Sequence, residues 1–302
     1  MLILALMISV LIPIFNVDVG PLVEELHQQL ILSKVPFEII CRDDASHDEY
    51  LKEKLALTNL EYIRLDTNEV NLGRTANRQL LAESAKYDWL LFLDADVMPK
   101  QEKYIDNYLN EVENNFDFVF GGFAYKKTKP TRGHELRWRY GLKNEYVEAR
   151  VRNRSPYKMI ISANFMCRKS NFIKLNSMIE HYGYGLDNYF GSLLKTNNCK
   201  VNHINNEVYH MGLEESGIYL NKKEQAAETL LKLHEQGKID THQNDLLSLF
   251  IKLKNNRLTG VFSFVYKCLK PLMRKNLLSR KPSIKLLQFY KIGYICYKYK
   301  GL

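Results

Sequence analysis

The sequence predicts an α/β protein with a mostly parallel central sheet flanked by helices, followed by a basic helical tail. Strand-like and helix-like patterns alternate over about the first hundred residues, which implies right-handed crossovers between parallel strands. Apolar runs such as WLLFL (89–93) lack alternation, as in strands covered on both faces. Polar residues directly follow several of these strands, at the sheet edge where open α/β folds bind ligands.

The elements of the first half each have a local signal. Pro21 suits the first turn of a helix, and Ser46 suits an N-cap. Val23, Leu26 and Leu30 repeat at helical spacing. The predicted strands are ISVLIPIF, FEIICRDD, LEYIRL, DWLLFLDAD and FDFVFGGF, and the predicted helices are GPLVEELHQQLILSK, SHDEYLKEKLAL, LGRTANRQLLAESA and KYIDNYLNEVENN.

The second half is less regular. Residues 126–147 are basic, aromatic and weakly periodic, and we expect them to pass over the ligand-binding edge. Regular structure resumes with YKMIISANFMCRKSNFIKL, GYGLDNYFGSLLK and CKVNHINNEVYHMG, and NKKEQAAETLLKLHEQGK predicts a further helix.

The length and the charge distribution indicate a mildly acidic main body followed by a basic tail. The 302 residues can hold one large domain or two small ones. Net charge is +9, but 246–302 contains thirteen Lys and Arg and no Asp or Glu, so the remainder carries 9 − 13 = −4. Five scattered cysteines without a CxxC pair favour reduced thiols in a cytosolic compartment. The apolar start MLILALMISVLIPIFN lacks the features of a signal peptide, and we expect a buried strand there.

Acidic residues at predicted strand ends are the first candidate site. Asp94 and Asp96 follow the fourth strand, and in extended chain their side chains would point to the same side. Such a pair can bind Mg²⁺ or Mn²⁺ together with phosphate oxygens, or simply occupy a solvated turn and cap a helix. Asp43 and Asp44 follow the second strand and Asn16 follows the first, which favours a ligand site at this edge.

Four segments together resemble the nucleotide-binding half of glycosyltransferase family 2, which has the GT-A fold. They are SVLIPIFN, EIICRDDAS, NLGRTANRQLLAESA and WLLFLDADV, in this order and spacing, and LDADV is similar to the family's DxD motif. The resemblance covers about residues 7–215. It implies an inverting transfer from a nucleotide-diphosphate sugar, with UDP-sugar as the expected donor, assisted by Mn²⁺ or Mg²⁺.

The resemblance also implies roles for individual residues in donor binding. Asp44 would bond the nucleobase with Asp43 beside it, and Asp94 would lie near the ribose. Asp96 would bind the metal that bridges the diphosphate. The remaining residues of the expected nucleotide-sugar site are Pro13, Asn16, Arg74, Arg78, Ala95 and Asn164, the arginines for phosphate and Asn164 for the sugar pocket.

Two later motifs complete the expected site. GYGLDNYFG resembles the family segment whose aspartate is the catalytic base, which would be Asp187, although Leu186 stands where the family often has Glu. Asp187 could equally cap a helix. EVYHMG resembles the family's V-x-H-x-G, so His210 would be a further metal ligand, although a lone histidine on an apolar run is often structural.

The basic tail allows two interpretations. Its mixture of aromatic, aliphatic and basic residues is typical of segments that bind anionic membranes, and 246–302 could serve a lipid-linked acceptor that way. Alternatively, its helices pack on the domain with a solvated basic face. No nucleic-acid motif is present, and we expect no nucleic-acid partner.

The sequence therefore predicts a GT-A catalytic domain over 1–240, with a nucleotide-binding half at about 7–125 and an acceptor side at about 126–240, and a basic amphipathic segment over 241–302. We expect a cytoplasmic glycosyltransferase of polysaccharide or cell-envelope synthesis, peripheral on the inner membrane face, with a saccharide or lipid-linked acceptor. A non-catalytic sugar- or polymer-binding protein is the alternative. A sugar nucleotidyltransferase would need a Gly-rich basic loop after the first strand, where PIFNVDVGP stands.

Overall fold

The computed structural model describes residues 6–47, 60–180, 183–239 and 244–300. Within these ranges the strands are β1 Ile8–Ile14, β2 Phe37–Asp43, β3 Ile63–Thr67, β4 Trp89–Leu93, β5 Val97–Pro99, β6 Phe118–Phe120, β7 Phe123–Ala124, β8 Asn164–Arg168, β9 Val201–His203 and β10 Val208–His210. The α-helices are α1 Gly20–Ser33, α2 Arg74–Ser84, α3 Tyr104–Leu109, α4 Glu135–Asn144, α5 Ala149–Arg152, α6 Lys169–Asn176, α7 Leu186–Thr196, α8 Ser216–Glu235, α9 Asp245–Asn255, α10 Thr259–Leu277 and α11 Ile284–Lys300. The predicted helix SHDEYLKEKLAL lies outside the described residues from position 48 onward.

The larger sheet has seven strands in the order β3-β2-β1-β4-β8-β6-β9. Strands β1 to β4 are parallel, as the alternating sequence pattern predicts, and β8 runs antiparallel between β4 and β6. Leu93 at the end of β4 pairs with Asn164 at the start of β8. The loop that leads into β8 therefore lies beside the carboxyl ends of the parallel strands.

A second, three-stranded sheet forms in the order β5-β10-β7. His210 pairs with Val97 in the antiparallel β5–β10 ladder, which places the end of β10 beside the turn after β4. The predicted strand FDFVFGGF is wrong as a single element. Gly122 has a φ of 95° and a Cβ on Gly121 would lie 2.4 Å from a carbonyl oxygen, so this pair of glycines separates β6 from β7.

The faces of the large sheet are covered by different helices, and buried side chains pack on both sides. Alternate residues of β1 divide between two apolar clusters: Val10 packs with α1 and α3, and Leu11 packs with α2, α6 and α7. This explains the continuous apolar runs in the sequence.

The C-terminal helices pack on the rest of the chain. Leu287 and Tyr290 of α11 share an apolar cluster with Leu136 of α4 and Leu220 of α8. The packing alternative for the tail therefore holds for one face of these helices. No helix in the described part of the chain combines the length and the apolar content that crossing a bilayer requires. The predicted boundary between 240 and 241 lies outside the described residues.

Candidate active site

Asp94 is held by two arginines from the first turns of α2. Nη2 of Arg74 donates to Oδ2 of Asp94 at 2.5 Å, and Nη2 of Arg78 donates to Oδ1 at 2.5 Å. Both arginines lie on one helix face at i, i+4 spacing. Burial disfavours the Asp94 anion, but the two guanidinium groups outweigh burial and hold the pKa of Asp94 below its usual range.

Asp96 and His210 form the second part of the site. Nε2 of His210 lies 3.8 Å from Oδ2 of Asp96, too far for a hydrogen bond. The backbone N–H of Met211 donates to the carbonyl of Asp96 at 2.8 Å, which joins the end of β10 to the turn after β4. A Cβ on Gly212 would lie 2.3 Å from Oδ2 of Asp96, so only glycine leaves this carboxylate in place.

Asp94 and Asp96 make separate contacts within the protein, and their convergence on one ligand stays a prediction. The strand ends at Leu93, so both acids lie in the following turn and the same-side geometry of extended chain no longer applies. Asp94 binds the arginines of α2, while Asp96 lies next to His210.

The groups around Asp96 fit a divalent cation. Nδ1 of His210 is buried and has no hydrogen-bond partner among the residues that the structure describes. Burial, then Arg137, lower the pKa of His210 to about 4, which leaves a neutral imidazole. Burial and the nearby Asp94 raise the pKa of Asp96 to about 6, a cost that a bound cation would remove. Among the described residues no three His, Cys, Asp or Glu side chains form a cluster suited to a metal ion. Two protein ligands plus phosphate oxygens suit Mn²⁺ or Mg²⁺.

Asp187 is linked to this site through Ser162. Asp187 lies in the first turn of α7, and its Oδ1 accepts a hydrogen bond from Oγ of Ser162 at 2.6 Å. The same Oγ accepts from Nη2 of Arg74 at 3.1 Å, and the Ser162 carbonyl accepts from Nη2 of Arg78 at 2.5 Å. One serine thus joins the arginines of α2 to the predicted base.

The acids after β2 hold loops together at the same sheet edge. Asp44 is buried and accepts hydrogen bonds from the N–H groups of Leu72 and Gly73, both at 2.8 Å. The backbone N–H and hydroxyl of Ser46 donate to the carboxylate of Asp43. Both carboxylates therefore already have protein donors, and both fix the loops that border the candidate nucleotide site.

The other predicted donor-site residues also lie near this edge. Asn16 has a φ of 53°, and its Oδ1 accepts from the His47 N–H at 2.9 Å. Pro13 lies near the end of β1, and Ala95 lies in the turn between Asp94 and Asp96. Asn164 pairs with Leu93 at the same edge, but its side chain is buried.

Asn164 is a structural residue, and the prediction that it lines the sugar pocket is not supported by its position. Its side chain has 0% exposure. Oδ1 accepts from the hydroxyls of Tyr104 and Tyr108 at 2.6 and 2.7 Å, and Nδ2 donates to the carbonyls of Gly122 and Asn206, both at 2.9 Å. All four of its hydrogen-bonding positions are used within the core.

A family model described as Glycosyl transferase family 2 matches residues 9–175, more than half of the chain. The chain belongs to glycosyltransferase family 2. The match spans the central sheet from β1 to β8 and includes Arg74, Arg78, Asp94 and Asp96.

A curated relative and two solved structures agree with this family. An uncharacterized glycosyltransferase of Haemophilus influenzae is 35% identical in an alignment 143 residues long, which covers 43% of this chain and 46% of the relative, so the match spans less than half of that protein. The mannosyltransferase PcManGT from Pyrobaculum calidifontis, solved with GDP-Man and Mn²⁺, has a TM-score of 0.58 at 12% identity and covers 97% of this chain and 86% of that one. S. aureus TarS with UDP-GlcNAc has a TM-score of 0.50 at 15% identity and covers 97% and 91%. At these identities the structures show a shared GT-A fold.

Sequence reasoning missed two residues of this family 2 site. Ser162 lies in IISANF, where a serine before a strand gives no signal of its role. Arg137 lies in the segment predicted to cross the site, where Nη1 donates to Oε2 of Glu145 at 2.8 Å and the guanidinium lies 5.4 Å from the ring centroid of Tyr125. Tyr125 in turn stacks on His210, with ring centroids 5.9 Å apart. A basic residue in a segment rich in aromatics was the available signal for Arg137.

Proposed function

We propose that this protein is a metal-dependent, inverting glycosyltransferase that moves a sugar from a nucleotide-diphosphate donor to a hydroxyl of a saccharide or lipid-linked acceptor. The observation that carries the proposal is the junction at Ser162, which connects the arginine-held Asp94 to Asp187. The membership in glycosyltransferase family 2 and the solved relatives that hold GDP-Man or UDP-GlcNAc support it. UDP-sugar remains our expected donor class.

The chain's residues divide into donor and acceptor roles. Arg74 and Arg78 would contribute positive charge beside the donor, and guanidinium groups suit phosphate oxygens. Asp96 and His210 would hold the divalent cation, which when bound supplies Lewis-acid neutralisation of charge on the departing nucleoside diphosphate. Asp43 and Asp44 would fix the loops that border the nucleobase of the donor.

Asp187 would act as the general base. It takes the proton of the acceptor hydroxyl while that oxygen forms a bond to the anomeric carbon. The bond from this carbon to the diphosphate oxygen breaks on the opposite face, which inverts the configuration. The Ser162 hydroxyl orients the Asp187 carboxylate by donating to Oδ1, and geometry of this kind is required before pKa matters.

The test is binding and turnover of nucleotide sugars. UDP-, GDP- and dTDP-sugars with and without Mn²⁺ are screened by thermal shift, because ligands of the folded state raise its melting temperature. Hydrolysis of the best-binding donor is then measured in Asp96→Ala, Asp187→Ala and Asp106→Ala proteins, the last being a control at an exposed position of α3. We expect metal-dependent binding, and turnover that is lost in the first two variants and kept in the third. Turnover that survives in Asp187→Ala would refute the assigned base, and binding without any turnover would favour the non-catalytic alternative.

We also propose that α10 carries the predicted contact with an anionic membrane. Val261, Phe264 and Leu272 on this helix are 57%, 68% and 66% exposed, with Lys267 and Lys275 exposed among them. An apolar face rimmed by lysines fits the headgroup region of anionic lipid. This would place the protein on the inner face of the cytoplasmic membrane, close to lipid-linked acceptors of polysaccharide or cell-envelope synthesis.

Vesicle sedimentation tests this face. Vesicles of phosphatidylcholine with and without phosphatidylglycerol are mixed with the protein and with Phe264→Ser and Leu32→Ser variants. We expect binding only to the anionic vesicles and a loss in Phe264→Ser. Leu32 is 78% exposed on α1 and serves as the control for removal of an exposed apolar side chain elsewhere. Equal binding of the two variants would rule out α10 as the contact.

A further inference from the structure

Two lysines share one aromatic ring where the C-terminal helices meet the family 2 domain. Nζ of Lys223 on α8 lies 4.5 Å from the ring centroid of Tyr140, and Nζ of Lys291 on α11 lies 5.8 Å from the same centroid. Nζ of Lys223 is also 4.8 Å from the ring centroid of Tyr219. Two positive charges from distant parts of the chain are thus brought together over a tyrosine of α4.

Glu145 and Asp187 lie near Lys223, and Asp245 lies near Lys291, but none of these carboxylates is in direct contact with either lysine. In the parts of the chain that the structure describes, neither lysine forms an ion pair. Glu145 is already paired with Arg137 at 2.8 Å, and Asp245 is paired with Lys158 at 2.6 Å. The region therefore has an excess of positive charge.

Burial makes this excess costly. Burial lowers the pKa of Lys223 although Glu145 opposes it, and burial and Lys223 lower the pKa of Lys291 to about 8. With a pKa of about 8, Lys291 still carries positive charge at neutral pH. Because partly desolvated charges without a counter-ion are unfavourable, an anion bound between the lysines would be stabilised by both.

Lys223 lies near Asp187, the predicted general base. Asp187 is close enough for its charge to favour the charged form of Lys223. The residue after it, Asn188, accepts a hydrogen bond from Nδ2 of Asn244 at 2.9 Å, and Asn244 caps the N-terminus of α9. The start of α7 is therefore tied directly to the C-terminal helices that provide Lys291.

We propose that Lys223 and Lys291 form an anion-binding subsite for the acceptor, next to the Tyr140 ring that both contact. The acceptor is then a saccharide or lipid-linked saccharide with a phosphate or carboxylate group near the hydroxyl that is glycosylated. This inference rests on the proposed function, since it assigns the acceptor side of the same reaction. It also gives the C-terminal helices a part in substrate choice.

The lysines can be observed directly by NMR. Reductive methylation with ¹³C-formaldehyde labels lysine amines and keeps their charge. The resonances of the two lysines are identified by their loss in Lys223→Arg and Lys291→Arg proteins. Glucose 6-phosphate and glucuronate are then the anionic probes, and glucose is the neutral control.

We expect both resonances to move with an anionic sugar and neither to move with glucose. A response to glucose 6-phosphate alone identifies phosphate as the group, and a response to glucuronate alone identifies carboxylate. Lys291→Gln should weaken binding of the anionic probe at Lys223 about tenfold, the loss of one charge-assisted contact. Lys285→Gln, at an exposed position on the same helix, should not change it. Chemical shifts that stay unchanged with both anions, or that change equally with glucose, would overturn the proposal.

Failure of this inference is distinguishable from failure of the proposed function. The thermal shift by nucleotide sugar and Mn²⁺ is measured on Lys223→Gln and Lys291→Gln proteins, whose substitutions are on α8 and α11. An unchanged nucleotide response with no anion preference refutes only the subsite. A wild-type protein without any nucleotide response refutes the proposed function.

Discussion

Among single residues, the two arginines that hold Asp94 should differ in their value to stability. The side chain of Arg78 is 7% exposed and that of Arg74 is 51% exposed. Removing Arg78 leaves Oδ1 of Asp94 and the Ser162 carbonyl without this donor, which costs about 1 to 3 kcal/mol for each buried group, whereas an exposed ion pair contributes less than about 1 kcal/mol. We therefore expect Arg78→Met to lower the free energy of unfolding far more than Arg74→Met, as measured by urea denaturation without nucleotide. Equal losses would show that exposure does not separate the two contacts.

His203 should make the folded state sensitive to acid. Its Nδ1 lies 2.9 Å from Nη1 of Arg152 and its Nε2 lies 2.8 Å from the carbonyl of Pro156, so Nδ1 accepts and Nε2–H donates. Burial, with Arg152 adding to it, lowers the pKa of His203 from 6.5 to about 4. Below pH 6.5 the unfolded chain binds a proton that the folded protein does not. Stability therefore falls as pH drops toward about 4, by on the order of 2 to 3 kcal/mol from this residue.

His203→Gln isolates this contribution, because glutamine can accept from Arg152 and donate to Pro156 without titrating. Unfolding free energies are measured from pH 7.5 to 4 in both proteins and in His27→Gln, a control at a partly exposed position of α1. We expect a shallower loss of stability in His203→Gln than in the other two proteins. Parallel curves would contradict the assignment, since His210 titrates in all three.

The acidic residues of the candidate site could be predicted from the sequence, but the residues that contact them could not. Asp94, Asp96 and Asp187 follow recognisable strand or glycine signals, whereas the contacts of Ser162 depend on a neighbour 88 residues away in the chain. Asn164 was assigned to the sugar pocket because the sequence does not show which way the side chain of a polar residue points. Hydrogen bonds to two tyrosines and two carbonyls place it in the core instead.

For single elements, the end of β10 controls the position of the candidate metal ligand. A Cβ on Gly212 would lie 2.3 Å from Oδ2 and 2.9 Å from Cβ of Asp96, so Asp96 would have to turn away. We expect Gly212→Ala to fold and to lose most of the Mn²⁺-dependent part of nucleotide affinity, measured by titration with and without the metal. Gly217→Ala, where an added Cβ meets nothing within 4 Å, is the matched control. A Gly212→Ala protein with unchanged metal dependence would argue against Asp96 as a ligand.

Element boundaries were predictable where the signal was local. The strand β1 and the helix α2 agree with their predicted segments within a few residues, because apolar runs and glycine or proline punctuation lie in the sequence itself. The strand β5 was not predicted as a separate element. It has three residues and exists through its pairing with β10, more than 100 residues later, so no local pattern could reveal it.

For the whole molecule, the C-terminal helices should unfold together with the sheet domain. The sequence predicted that they are helical and basic, but their docking depends on apolar positions of α4 and α8 that only the folded chain brings together. The hydroxyls of Tyr290 and Tyr294 on α11 also donate to Glu224 and Glu228 of α8. Such an interface predicts one cooperative transition rather than two.

Leu287 on α11 provides the test of this coupling, because it has 0% exposure within the cluster that joins α11 to α4 and α8. Leu287→Ala should cost about 2 to 5 kcal/mol through the cavity that it leaves. The two tryptophans are Trp89 in β4 and Trp138 in α4, so a Trp138→Phe background reports on the central sheet alone. We expect Leu287→Ala to move the Trp89 fluorescence transition to lower denaturant, and Leu272→Ala, at a 66% exposed position of α10, to leave it nearly unchanged. A Trp89 transition that stays in place while helical circular dichroism is lost earlier would show that the C-terminal helices unfold independently, and Lys291 could then leave the acceptor side without disturbing the donor site.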